Sequence, residues 1–273
     1  MLEHYQGVFF LDSSDLEVVK KWNAIGVIDG VTTNPQIMLD NGVSPASYRQ
    51  TIRDICAEMG TRSVSVELTA DRNSVEKQIE EALDLSQIAD NVTIKVPFNP
   101  MNPEKGLEVM HRLVREQHMS VNATVMMNFE QLALAAAAMR GGERRSFVSL
   151  FWGRAIEDWA ARREWGERKR KNERIDNPWA PEGMRIGDSP TVNSDPALIT
   201  RAMVKRLSGA GYAHVDLIVG SVRDASMVGH ALDVGAHIVT VPADILAAMG
   251  YSPRAVQTLA QFDKAWEDLQ RRK

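Results

Sequence analysis

Apolar and polar positions along the chain switch between two periods. Runs with a period of two, or short apolar runs, occur at "VFFLD" (8–12), "GVTTN" (30–34), "VSVEL" (64–68) and "VTIKVP" (92–97). They recur at "SVNATV" (120–125), "SFVSLF" (146–151), "VDLIVG" (215–220) and "HIVTVP" (237–242), and all eight read as strands. The segments between them carry helical spacing and helix punctuation. Ser14 and Glu17 are spaced as a capping box ahead of "LEVVKKWNAIG", with Gly26 as its stop. Asn102 before Pro103, and Asp195 before Pro196, each place a capping residue ahead of a proline suited to the first helical position. Near the C-terminus, Val256, Leu259, Phe262, Trp266 and Leu269 mark one stripe of a helix.

Eight such strand–helix units predict an α/β fold, a single (β/α)₈ barrel over residues 1–273 with a C-terminal helix at about 253–271. The alternative, an open doubly wound sheet, wants a glycine-rich phosphate turn after its first strand, where this chain has "LDSSD". The rhythm breaks at about 160–195, with "ERKRKNER" followed by a stretch rich in proline and glycine. This segment reads either as a solvated helix and loop or as a lid, since it follows a strand and so emerges on the face where barrel sites are built.

Composition adds constraints without changing that picture. The chain is 44% hydrophobic and 25% charged, with a net charge of −4 and both signs interspersed, which gives no footing to nucleic acid or a membrane as partner. A single cysteine, Cys56, allows no internal disulfide and suits a reducing compartment. The apolar run near residue 8 is too short for a signal peptide, and no run reaches the roughly 20 apolar residues of a membrane span. A cytoplasmic location is the expectation.

Parity then singles out the chemistry. Alternate side chains of a barrel strand point inward, so Phe10 goes with Asp12, Thr32 with Asn34, Ser65 with Glu67, Thr93 with Lys95, and Asn122 with Thr124. The opposite set, taken as Val8, Leu11, Val31, Val66, Ile94, Val96, Val121 and Val125, is apolar and expected against the helices. Polar groups in one phase at the C-terminal ends of five strands imply a polar pocket there. Within it Lys95 reads as an interior salt-bridge partner of Glu67 or Asp12, or as a reactive amine. Burial favours the neutral nucleophile and neighbouring carboxylates favour the ammonium. The six histidines show no paired metal-ligand spacing, so no metal is expected, and no GxSxG elbow or Walker loop is present. Gly26 and Gly30 read together as a turn feature.

The stretches "FFLDSSDLEVV", "GVIDGVTTNPQIM", "VSVEL", "TIKVP", "VNATVMMNFEQLALAAAA", "VSLFWGRAIEDW" and "IVGSVRD" resemble transaldolase motifs in order and spacing, from about residue 8 to 262. The resemblance implies a cofactor-free (β/α)₈ enzyme, a homo-oligomer acting on small sugar phosphates of the pentose phosphate pathway. It makes Lys95 the Schiff-base lysine and Asp12 the general base, with Glu67 and Thr124 positioning a proton-relaying water. Asn34, Asn122 and Ser149 would bind the dihydroxyacetone hydroxyls, Thr32 belongs to the same substrate-binding set, and Arg154, Ser221 and Arg223 would hold the phosphate. Glutamate at position 67 and asparagine at 122 are transaldolase-like, whereas the related fructose-6-phosphate aldolases carry glutamine at the former. The alternatives are an aldolase that releases free dihydroxyacetone and a non-catalytic barrel that binds sugar phosphates.

Overall fold

The computed structural model describes residues 3–171 and 195–272. Four strand–helix units come first: β1 (Val8–Asp12) and α1 (Leu16–Ala24); β2 (Gly30–Thr32), α2 (Pro35–Asp40) and α3 (Tyr48–Met59); β3 (Val64–Glu67) and α4 (Val75–Ser86); β4 (Val92–Pro97) and α5 (Pro103–Arg115). There follow β5 (Val121–Met126) and α6 (Phe129–Ala138), β6 (Ser146–Phe151) and α7 (Trp152–Arg170), then α8 (Pro196–Leu207). The chain completes the ring with β7 (Val215–Gly220), α9 (Ala225–Asp233), β8 (Ile238–Val241), α10 (Ala243–Ala248) and α11 (Pro253–Arg271). All neighbouring strands are parallel and β1 pairs with both β2 and β8, so the sheet closes into the expected eight-stranded barrel. The opening part of the expected 160–195 insertion is the second half of α7, and residues 172–194 lie outside the described residues.

Local signals act as expected in part. Gly26 ends α1 at φ +71°, a value glycine adopts at no steric cost. The cap of α1, however, is Asp15, whose carboxylate accepts from the amides of Glu17 and Val18. A charged acceptor at the positive end of a helix outcompetes the Ser14 hydroxyl. Ser14 instead donates to the Ile37 carbonyl and accepts from Asn41. Pro103 and Pro196 do open their helices, with Asp195 capping α8 by side chain while Asn102 bonds across to Asn73. Strand β2 is shorter than expected, because Asn34 leaves the sheet to cap α2. Gly30 belongs to β2 and is no turn residue: a Cβ there would lie 2.6 Å from the Phe10 ring.

The interior divides into layers along the barrel axis. Leu11, Val31, Val66, Ile94, Val96 and Val121 face the helices, as their parity requires. Inside, Phe10, Phe147, Ile218 and Ile238 form an apolar plug, with Tyr5 and Val8 packed on it. Val8 was expected on the helix side. It lies two residues from Phe10, and the pleat therefore turns both inward. Below the plug, buried Asp216 accepts hydrogen bonds from His4 Nδ1 (2.9 Å), the Tyr5 amide (3.1 Å) and the Arg145 guanidinium, and stands 3.2 Å from His237 Nδ1. Above the plug lies a cavity.

Candidate active site

Strand register sets the polar wall of the cavity. Glu67 on β3 pairs with Lys95 on β4, and Lys95 with Asn122 on β5, so three polar side chains of one parity stand side by side. Asp12 on β1 pairs with Thr32 on β2 in the same way. These five, with Asn34, Thr124, Ser149, Arg154, Ser221 and Arg223, all line one cavity of about 510 Å³ at the C-terminal ends of the strands. All eleven residues expected at the site from sequence are thus brought together.

Lys95 is 5% exposed, and its ammonium nitrogen donates to the Thr33 carbonyl (3.0 Å) and lies 3.1 Å from Glu67 Oε2. A buried ammonium without such partners would be costly, and here the carboxylate and carbonyl offset part of that cost. The same contact supplies a proton acceptor next to the amine. The half-buried Asp12 accepts from Thr32 Oγ1 at 2.7 Å. Removal from water pushes the Asp12 carboxyl above the ordinary carboxylate range; the charge of Lys95 and the Thr32 hydrogen bond pull it back only in part, and Glu67 adds to the rise.

The amide side chains are partly committed. Asn34 Oδ1 caps α2 by accepting from the Ile37 amide, which leaves its NH₂ group for a ligand hydroxyl. Asn122 accepts from Ser149 Oγ (2.7 Å) and donates to Ser65 Oγ (3.1 Å), so its orientation is fixed from two sides. Thr124 is fully buried, and its Oγ1 has no hydrogen-bond partner among the described residues. A buried hydroxyl that opens on a polar cavity is where a water or substrate oxygen fits.

The two arginines arrive from different elements. Arg154 lies in the first turn of α7, and Arg223 follows β7. Gly153 lets these elements touch: its amide donates to the Ser221 carbonyl at 3.1 Å, and an added Cβ would sit 2.3 Å from that oxygen. Ser221 has φ +57°, so the loop turns sharply under the pair. Arg223 lies 3.4 Å from Glu157, a long and exposed ion pair that a dianion could displace.

Sequence reasoning missed several wall residues. Thr240 Oγ1 bonds Thr32, and extending the parity rule to β8 would have found it, since Thr240 lies two residues from inward Ile238. Phe151 and Gln36 also line the cavity, although neither residue type announces chemistry. Val125 was assigned to the helix face but lines the cavity, because β5 gains one residue relative to β6 between Ala123 and Met126. A one-residue bulge inverts parity beyond it.

Comparisons with known proteins bear on the family and the fold. A protein of Exiguobacterium sibiricum described as a probable transaldolase is 29% identical over 265 residues, covering 96% of this chain and 99% of that protein. A protein of Methanococcus maripaludis with the same description is 29% identical over 259 residues, covering 95% and 97%. The solved 4-hydroxy-tetrahydrodipicolinate synthase of Methylacidiphilum fumariolicum SolV superposes with a TM-score of 0.52 at 12% identity, covering 88% of this chain and 69% of that one, a likeness of fold. The family model described as Transaldolase/Fructose-6-phosphate aldolase matches residues 9–273. The chain belongs to the transaldolase/fructose-6-phosphate aldolase family.

Proposed function

We propose that the chain is a transaldolase, moving a three-carbon dihydroxyacetone unit from a ketose phosphate to an aldehyde through a Schiff base on Lys95. The observation that carries this reading is the placement of a buried amine, a carboxylate beside it at 3.1 Å and an unpartnered buried hydroxyl around one cavity. Glu67 takes a proton from the ammonium, and the free amine attacks the C2 carbonyl of the donor. Loss of water, relayed through a site between Glu67 and Thr124, gives the imine. Asp12 removes the C4 hydroxyl proton, and a carboxyl held above the ordinary range suits a general base working near neutral pH. The C3–C4 bond breaks with its electrons drawn into the iminium and one aldehyde leaves; the enamine attacks a second aldehyde, and water adds to the iminium so formed, breaking the C–N bond to free the new ketose and Lys95. Asn34, Asn122, Ser149 and Thr32 orient the donor hydroxyls, while Arg154, Ser221 and Arg223 bind the phosphate as charge-assisted donors.

Glu67 is the residue that favours transfer over simple cleavage, since a carboxylate can carry protons to and from the held water and an amide cannot. Glu67→Gln should lower transfer and raise release of free dihydroxyacetone, both measured from one ketose with and without an acceptor aldehyde. An unchanged ratio would leave simple aldol cleavage as the better reading. Assembly belongs to the same proposal. On α11, Val256, Leu259, Phe262, Trp266 and Leu269 are each more than half exposed, and no residue of this helix is buried. A 19-residue helix with an uncovered apolar stripe has little to hold it alone in water. We read it as an oligomer contact of a cytoplasmic pentose phosphate enzyme. Among the described residues no helix is long and apolar enough to cross a membrane.

A further inference from the structure

Three steps along β5 match two along β6: Ala123 pairs with Val148, and Met126 with Leu150. The extra residue is absorbed at Val125, whose φ is +61°. For a β-branched residue this conformation is a steric outlier, because the side chain crowds the adjoining carbonyl. Glycine would adopt it freely and asparagine at small cost.

The bulge changes which face each side chain meets. Met126 packs into the apolar core that Val121 and Ala123 also reach. Val125 instead turns into the cavity, immediately after the buried Thr124 with its unpartnered hydroxyl. Phe151, from the neighbouring strand, extends the same wall. Backbone strain of this kind persists only where its surroundings impose it, and it concentrates where a side chain acts. A bulge beside a pocket is a device for re-aiming one. Valine at this point keeps a conformational cost that asparagine or glycine would relieve, and it lines the same cavity as Thr124.

We propose that Val125 is a specificity-determining residue: its side chain shields the water site at Thr124 and so protects the three-carbon enamine on Lys95 from hydrolysis until an acceptor arrives. This rests on the Schiff-base reading above. Hydrolysis requires one proton at the enamine carbon and one water at the resulting iminium carbon. The C–N bond then breaks, the oxygen stays with the departing ketone, and the lysine leaves as its ammonium. Transfer forms a carbon–carbon bond at the same enamine carbon instead. Free access of bulk water favours the first outcome, and an apolar wall favours the second.

The test has two arms that separate the proposal from its premise. Borohydride trapping of the wild type with a ketose asks only whether Lys95 forms an adduct, and its absence overturns both. With the adduct established, Val125→Ala should still form it. The ratio of released ketone to transferred product should rise roughly tenfold, the scale on which one or two methyl groups act in an apolar wall. An unchanged ratio overturns the proposal and leaves the Schiff base standing. Val125→Asn provides the second variant, since asparagine accepts the left-handed backbone while making the wall polar. It should melt at or above the wild-type temperature and show the same rise in release. A lower melting temperature would mean that the valine backbone is unstrained, and would overturn the argument from its retention.

Discussion

Asp12 and Asp216 stand at opposite ends of one barrel, separated by the plug of Phe10, Phe147, Ile218 and Ile238. Both have lost water, yet their carboxyls move in opposite directions. At the cavity end, desolvation of Asp12 exceeds what Lys95 and Thr32 return, and its carboxyl is held high. At the floor, burial pushes Asp216 up as well, but the hydrogen bond from His237, the charge of Arg145 and the bond from His4 together pull it below the ordinary range. One acid is left short of donors and the other is saturated with them. The difference separates a group available for proton transfer from one that tethers the N-terminal segment, where the Arg145 guanidinium also meets the Glu3 carbonyl and stacks over Tyr5 at 4.5 Å.

Substitution should separate the two roles sharply. Asp12→Asn removes the proposed base and should lower kcat by about 10²–10⁴, the usual contribution of a positioned general base, with little change in the far-ultraviolet circular dichroism. Loss of less than about tenfold would place the base elsewhere. Asp216→Ala leaves Arg145, His4 and His237 without their common acceptor. It should cost about 3–5 kcal/mol in denaturant unfolding while kcat of the folded fraction stays near wild type. Equal damage to kcat would mean that the floor communicates with the cavity through the plug.

The pH dependence sharpens the contrast. Asp12 has a raised folded value, so the native state keeps a proton that the unfolded chain has released. Its contribution therefore falls as pH rises from the ordinary carboxylate range to the raised value, and Asp12→Asn should be the more stable protein above that window. Asp216 has a lowered folded value. Its contribution is complete above the ordinary carboxylate range and is lost as pH falls through the lowered one. Melting curves of Asp12→Asn and Asp216→Asn against pH should thus diverge from wild type at opposite ends of the acid range, and parallel curves would refute the assignment. The smallest effect is expected at the rim. Arg154→Ala and Arg223→Ala should each raise KM for phosphorylated sugars about tenfold to a hundredfold, since a charged hydrogen bond contributes about 1.5 to 3 kcal/mol. Unphosphorylated analogues should change little, and equal shifts for both substrate types would remove phosphate binding from these residues.

The cavity end was legible in the sequence and the floor was not, for a physical reason. Side chains of a strand alternate strictly, so Asp12, Glu67, Lys95, Asn122 and Thr124 could be placed on one wall from parity alone. Two positions are informative. Val8 shares the inward parity of Phe10 although its residue type suits the helix face, and Val125 is displaced by a bulge that no residue type announces. The floor cluster joins His4 to Asp216 across 212 positions, and no local period encodes such a contact. The C-terminal stripe was plain in sequence, but its exposure depends on what the rest of the barrel leaves uncovered.

The central claim is that Lys95 is a nucleophile and not only the partner of Glu67. Borohydride reduction in the presence of a ketose phosphate, followed by peptide mass spectrometry, addresses it directly. The expected result is a stable adduct confined to the peptide carrying Lys95 and absent from Lys95→Ala. Turnover with no adduct at Lys95, or undiminished turnover by Lys95→Ala, would contradict it.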